Sequence, residues 1–147
     1  MPHSYFQCIM HIVFSTKHRE KIIPKAMKER LWSYTAGICQ KRDIFVHAIG
    51  GMEDHIHLLL QFPSMLLVPK GINAIKVNSS GWMSGFAGSF AWQEGYGAFS
   101  VSKSNVARVV RYIQDQERHH KKMTFDKEFI AMLEKHGVPY DPKYVFD

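Results

Sequence analysis

Gly50-Gly51-Met52-Glu53-Asp54-His55-Ile56-His57-Leu58-Leu59-Leu60-Gln61-Phe62 sets two histidines on either side of one isoleucine and then runs into apolar residues. In an extended strand, residues two apart project from the same face, so His55 and His57 stand side by side while Ile56 and Leu58 point the other way, into a core. Neutral imidazole is a common ligand for divalent metals, and a strand fixes the separation of two of them. The same pattern also describes two half-exposed strand histidines without a ligand, and on these residues alone both readings stand. Asp54, beside the pair, fits orienting a histidine or shaping a turn better than binding metal directly.

The chain around this stretch has 147 residues, 46% of them hydrophobic, which is the size of one ordinary domain spanning 1–147 with a core that needs no disulfide or structural metal. The two cysteines, Cys8 and Cys39, lie in apolar surroundings and read as buried free thiols of a reducing compartment. No apolar run approaches the ~20 residues of a membrane span, and the polar start Met1-Pro2-His3-Ser4 does not read as a targeting segment. The expectation is a soluble, cytoplasmic protein. Nineteen basic residues against thirteen acidic ones give a formal charge of +6, which favours polyanionic partners.

Upstream, Tyr5 to Ser15 is rich in aromatic and β-branched residues and predicts a central strand. It opens into the basic segment Thr16-Lys17-His18-Arg19-Glu20-Lys21, where Lys17 and Arg19 are placed to hold phosphate at a sheet edge or simply to solvate a turn. Pro24 suits the first turn of a helix to about Lys41, with Met27, Leu31 and Ile38 inward. Ile44 to Ile49 predicts a second strand, joined through the hairpin link Gly50 to Asp54 to the histidine strand, so that the two are antiparallel neighbours.

Downstream, Pro63 ends the histidine strand and Leu66 to Met83 reads as a second helix. On it Lys76, Ser79 and Ser80 can donate to a phosphate, or solvate its exposed face. Gly81 to Gly97 interleaves Gly and Ser with Trp82, Phe86, Phe90, Trp92 and Tyr96, a set that packs the core or stacks on bases, with core packing favoured. Ala98 to Val101 is a short fourth strand. The helix from Asn105 to about Lys121 turns Val106, Val109, Val110 and Ile113 inward and carries Arg108, Tyr112, Gln116 and His119 on an adjacent face. For an arbitrary helix such a tyrosine marks the edge of a core. Thr124-Phe125-Asp126-Lys127-Glu128 looks like a capping box opening a last helix, with Phe129, Ile130 and Leu133 inward and Gly137 and Pro139 at its end. The order strand, helix, two strands, helix, strand predicts an α+β fold: a ferredoxin-like split βαβ antiparallel sheet with helices on one face, plus C-terminal helices carrying the tyrosine.

Taken together, the Asp54-His55-Ile56-His57-Leu58-Leu59-Leu60 strand, the strand ending Thr16-Lys17-His18-Arg19, the Trp92 to Ser102 segment and the Tyr112 to His120 helix resemble the HUH-type single-tyrosine transposases. These are the insertion-sequence two-hundred-like group, REP-associated tyrosine transposases included. The resemblance extends over nearly the whole chain. It implies that His55 and His57 are metal ligands, with Gln116 as a third, and that Tyr112 is the nucleophile. It further implies magnesium or manganese, a homodimer in which the tyrosine helix can complete the partner's site, and single-stranded DNA bearing a hairpin as substrate. The implied reaction gives a 5′-phosphotyrosine and a free 3′-hydroxyl, followed by strand transfer without a nucleotide cofactor. Two imidazoles by themselves would also suit zinc. Arg108, His119 and His120 join Lys17, Arg19, Lys76, Ser79 and Ser80 as candidate DNA contacts. The competing expectations are a catalytically silent hairpin-binding module of the same fold and a metallohydrolase working through metal-bound water.

Overall fold

A computed structural model describes residues 4–146. The chain forms β1 (Cys8–Ser15), α1 (Lys28–Gln40), β2 (Phe45–Met52), β3 (His55–Phe62), α2 (Val68–Ala87), β4 (Gly97–Ser100), α3 (Val106–Gln114), α4 (Gln116–His119) and α5 (Phe125–Lys135). All strand pairs are antiparallel and the sheet order is β2-β3-β1-β4. This is the predicted α+β split βαβ sheet. The expectation about the start of the chain concerns Met1, Pro2 and His3, which lie outside the described residues. Among the described residues no helix is long and apolar enough to cross a membrane.

The two faces of the sheet are divided by the alternation of β3. Ile56, Leu58 and Leu60 join Ile12 and Phe14 of β1 in a core roofed by Leu31 and Ile38 of α1 and by Ile72, Ile75 and Met83 of α2. On the opposite face Leu59 packs with Ile113 of α3, and Val13 and Phe99 pack with Phe125, Phe129, Met132 and Leu133 of α5. His55 and His57 share that second face by strand parity. The sheet is therefore covered on both sides, with the histidines under the C-terminal helices.

Several boundaries differ from the sequence reading for physical reasons. The first strand begins at Cys8, because Tyr5 and Phe6 lie beyond the ladder and are exposed. Gly50, Gly51 and Met52 belong to β2, paired with His57, Ile56 and His55, so the hairpin turn is only Glu53-Asp54 and the irregularity sits at Val46/Ala48. A 3₁₀ turn at Lys25–Met27 precedes α1. The tyrosine helix does not continue to Lys121: Asp115 leaves helical geometry (φ −104°, ψ 23°) and a separate turn, α4, follows.

The aromatic segment serves mainly the core. Phe90 and Trp92 are buried, and Trp92 meets Phe14 edge-on at 4.9 Å. Its indole N–H donates to Ser79 Oγ at 2.9 Å, and Ser79 Oγ–H donates to the Ile75 carbonyl at 2.6 Å. Ser79 is thus fully buried and has no surface to offer a phosphate. Ser80 donates to the Phe90 carbonyl. Lys76 spends its three N–H donors on the carbonyls of Gln93, Glu94 and Gly95 at 2.7, 2.9 and 2.7 Å. These three residues, expected to be DNA contacts, instead pin the loop after α2.

One transverse row of the sheet seats both C-terminal helices. Gly50, His57, Val13 and Gly97 are successive partners across β2, β3, β1 and β4. A Cβ on Gly50 would stand 2.5 Å from the backbone oxygen of Ile113, and one on Gly97 would stand 2.7 Å from the ring of Phe129. The two missing side chains let α3 and α5 settle on either side of His57. Gly50→Ala is therefore expected to lower the stability measured by urea denaturation by about 1–3 kcal/mol, the usual cost of overpacking. Gly81→Ala, in open space on α2, is expected to raise it by about 0.5–1 kcal/mol. Equal behaviour of the two variants would show that α3 does not depend on the close approach.

Candidate active site

β3 presents His55 and His57 to the second face, and both are fully buried. His55 Nδ1 lies 2.7 Å from Asp54 Oδ1, and His57 Nδ1 lies 2.8 Å from His11 Nε2 on the neighbouring strand. A neutral His55 that donates its Nδ1–H to Asp54 keeps the Nε2 lone pair free, and His57 does the same when it donates to His11. Both Nε2 atoms then point at one place.

That place is occupied from above by Glu128 of α5. Its Oε1 is 3.4 Å from His55 Nε2, 3.2 Å from His57 Nε2 and 2.9 Å from His120 Nε2. Its Oε2 accepts from Gln116 Nε2 at 3.1 Å and from the hydroxyl of Tyr112. Gln116 Oε1 lies 2.8 Å from His55 Nε2, an acceptor facing the ring lone pair. His119 lies against the Tyr112 ring, with centroids 4.7 Å apart.

The donor set fits a metal ion. His55, His57 and Glu128 each offer one ligand atom, and the three lie within 4.8 Å of one another. Donors bonded at about 2.1 Å to one ion, at ordinary angles, sit roughly 3.0–3.5 Å apart, as the two carboxylate–imidazole separations do. With the His55 proton on Nδ1, its Nε2 and Gln116 Oε1 face each other at 2.8 Å with no proton between them, an environment a cation relieves.

Electrostatics follow from burial and from this crowding. Burial alone would raise Glu128, but hydrogen bonds and charge from His120, His57 and His55 outweigh it and hold the carboxyl well below its usual range. Tyr112 is pushed well above the ordinary phenol value by burial, then by the charge and hydrogen bond of Glu128. Burial lowers His120, yet the hydrogen bond and charge of Glu128, with Asp54, raise it overall. Asp54 is held low by His55 despite its burial.

The structure thus brings together His55, His57, Tyr112 and Gln116 within one chain. Among the candidate DNA contacts, Lys17 and Arg108 stay exposed. Arg19 is tied to Asp126 at 2.8 Å and lies over the Phe146 ring at 4.5 Å, and His120 turns inward to Glu128. Two members of the cluster, Glu128 and His11, are not assigned to the site by sequence reasoning. Glu128 looked like part of a capping box, but Thr124 caps the Lys127 amide, and Glu128 sits one position further along. Its signal was its place in the inward stripe Phe125, Glu128, Phe129, Met132, where a lone carboxylate requires a partner. His11 carried a similar signal, a histidine at an alternating position of an apolar strand.

The model of the family described as "Transposase IS200 like" matches residues 4–116. The chain belongs to the IS200-like transposase family. The transposases for insertion sequence element IS200 of Salmonella typhimurium and Salmonella typhi are each 26% identical over 124 residues, covering 79% of this chain and 81% of the relative. Among solved structures, a candidate transposase from Deinococcus radiodurans R1 aligns with a TM-score of 0.64 at 23% identity, over 79% of this chain and 95% of that one. A REP-associated tyrosine transposase bound to a REP hairpin aligns with a TM-score of 0.63 at 13% identity, over 82% of this chain and 73% of that one. At these identities the two structures show the fold. The family match ends at Gln116, so His120 and Glu128 reach the site from the segment that follows it.

The buried imidazoles make the stability of this transposase-family fold depend on pH. His11 and His57 are lowered by burial, His11 further by His57 and His57 only partly restored by Glu128. Unfolded, both return to about 6.5, so the unfolded chain takes up protons that the folded chain refuses. Their contribution is complete above that value and is lost as pH falls toward the folded values. His120, raised, opposes them: its contribution is present at low pH and fades as pH rises through its folded value. With two rings against one, protein kept metal-free with chelator is expected to unfold at lower urea at pH 5.5 than at pH 7.5, and His11→Asn is expected to narrow the gap. A midpoint that rises on acidification would show that His120 dominates.

Proposed function

We propose that this chain is a metal-dependent, single-strand-specific DNA transposase that cuts and rejoins through Tyr112. The observation that carries this reading is that the Tyr112 hydroxyl and the Nε2 atoms of His55 and His57 meet at the two oxygens of one buried carboxylate, Glu128. Nucleophile and metal donors share one site. His55, His57 and Gln116 would hold the ion, with Glu128 as a further donor. A divalent ion bound there would draw charge from a non-bridging phosphate oxygen and favour the phenolate. Tyr112 Oη attacks phosphorus as its proton is lost to water, and the bond to the 3′ oxygen breaks as that oxygen takes up a proton from solvent. The products are a 5′-phosphotyrosine and a free 3′-hydroxyl. Attack by a 3′-hydroxyl on that phosphotyrosine restores a phosphodiester and frees the tyrosine, which is strand transfer without a nucleotide cofactor.

Carboxylate, amide and phosphate oxygens favour magnesium or manganese as the ion, although two imidazoles and a carboxylate also suit zinc. A hairpin in single-stranded DNA as substrate is supported by family membership, by the net charge of +6 and by the hairpin carried by the REP-associated relative. Exposed Lys17 and Arg108, and His119 beside the tyrosine, are the contacts this reading retains. A homodimer belongs to the same reading. Sedimentation at the 17.0 kDa of one chain, with and without hairpin DNA, would remove it.

The test is incubation of labelled single-stranded hairpin DNA, carrying the palindromes that flank the coding sequence, with the protein and magnesium or manganese. Wild type is expected to give a metal-dependent covalent adduct mapped to Tyr112. Tyr112→Phe abolishes it with binding kept within a few-fold, and Glu128→Ala weakens manganese binding about 10–100-fold. An adduct at the wild-type rate in Tyr112→Phe removes the tyrosine from its role. A free 5′-phosphate with no protein attached points to metal-bound water as the nucleophile.

A further inference from the structure

Between α3 and α5 lies an open cleft of about 340 Å³, and Tyr112 and Glu128 are among the residues that line it. The volume falls in the roughly 300–1,000 Å³ range of small-ligand sites. Its apolar surface comes from Val109, Met123, Ala131 and Met132, and its cations from Arg108 and Lys135. Glu128, the one carboxylate in the lining, is engaged internally by Tyr112, Gln116, His57 and His120. A flat apolar group with a negative charge attached is the ligand such a surface suits. Methionines adapt to flat rings of different outline, and an extruded base is commonly read by contact with apolar side chains.

We infer that this cleft seats the nucleotide adjoining the scissile phosphodiester, with its base on the Met123–Met132 surface and its outer phosphate against Arg108 and Lys135. The inference rests on the proposed transposase reading and adds a subsite to it. Shared Tyr112 makes the placement specific: a nucleotide in the cleft lies against the side chain that attacks. The apolar lining gives little base discrimination, so purine and pyrimidine nucleotides bind alike.

The experiment uses full-length protein with ¹³C-labelled methionine methyls, titrated with dAMP, dTMP and deoxyribose 5-phosphate. Of the chain's eight methionines, Met123 and Met132 are expected to shift saturably with either nucleotide. Ala131→Trp, a bulky replacement at an exposed α5 position facing the cleft, is expected to abolish those shifts with the unfolding midpoint unchanged. Arg108→Ala is expected to weaken the response severalfold. Absence of shifts at Met123 and Met132, or equal shifts from deoxyribose 5-phosphate, overturns the inference. In the hairpin assay Ala131→Trp is expected to lower the yield of Tyr112 adduct at least about tenfold with hairpin binding retained, since misplacing a reacting group carries a cost of that order. An unchanged yield overturns the subsite and leaves the transposase reading intact. Methyl shifts in wild type without an adduct on any hairpin overturn the transposase reading and leave a nucleotide cleft.

Discussion

A carboxylate with 1% of its surface exposed is the interaction on which the functional half of this molecule depends. Removing such a charge from water costs several kcal/mol unless partners surround it. Glu128 meets that requirement with donors from three places, Tyr112 on α3, Gln116 at the start of α4 and His120 just after it, and with the His57 ring of β3 beside it. Each partner is held because the carboxylate needs it, so the relative positions of three short C-terminal segments follow from one charge. The same charge keeps the proton on Tyr112. In the proposed reading, His55, His57 and Glu128 would hold a cation whose charge offsets that of the carboxylate and favours the phenolate.

The sheet makes this meeting sterically feasible. On the row that crosses the sheet at His57, glycine stands at both ends, and α3 and α5 come to rest where side chains would otherwise be. The opposite face needs no such relief. There the branched and aromatic residues of β1 and β3 meet α1 and α2 in an ordinary apolar core. The two faces thus divide the work: one supplies stability by burying apolar surface, and the other sacrifices some of it to hold polar groups in fixed relation. Lys76, Ser79 and Trp92 lock the loop after α2 on the stable side, which is why residues that look ready for phosphate are committed to carbonyls and to each other.

The family match covers the sheet, the histidine strand and the tyrosine helix and stops at Gln116. The remaining segment is more than a tail, because α5 closes the second face and carries Glu128 into the centre of the site. Arg19, in the turn after β1, fastens that segment through Asp126 and Phe146. A basic side chain that reads as a phosphate contact thereby holds the segment that carries Glu128 over the histidine pair.

Local pattern was sufficient for much of this protein. Period-two alternation in Ile56, Leu58 and Leu60 fixed β3 and placed His55 and His57 together, because side-chain direction in a strand depends only on parity. The 3.6-residue stripe of Val106, Val109, Val110 and Ile113 fixed α3, and the order of elements fixed the split βαβ sheet. Tyr112 and Gln116 were visible as one-turn neighbours, although the break at Asp115 was not. What the sequence could not supply was the long-range geometry: that His11 faces His57 across a strand pair, that Glu128 descends onto His55 and His57, and that Ser79 and Lys76 turn inward. A strand or helix pattern records which side of its own element a residue occupies. Which other element lies opposite is decided by the packing of the whole chain, and here that packing turned on two absent side chains and one buried charge.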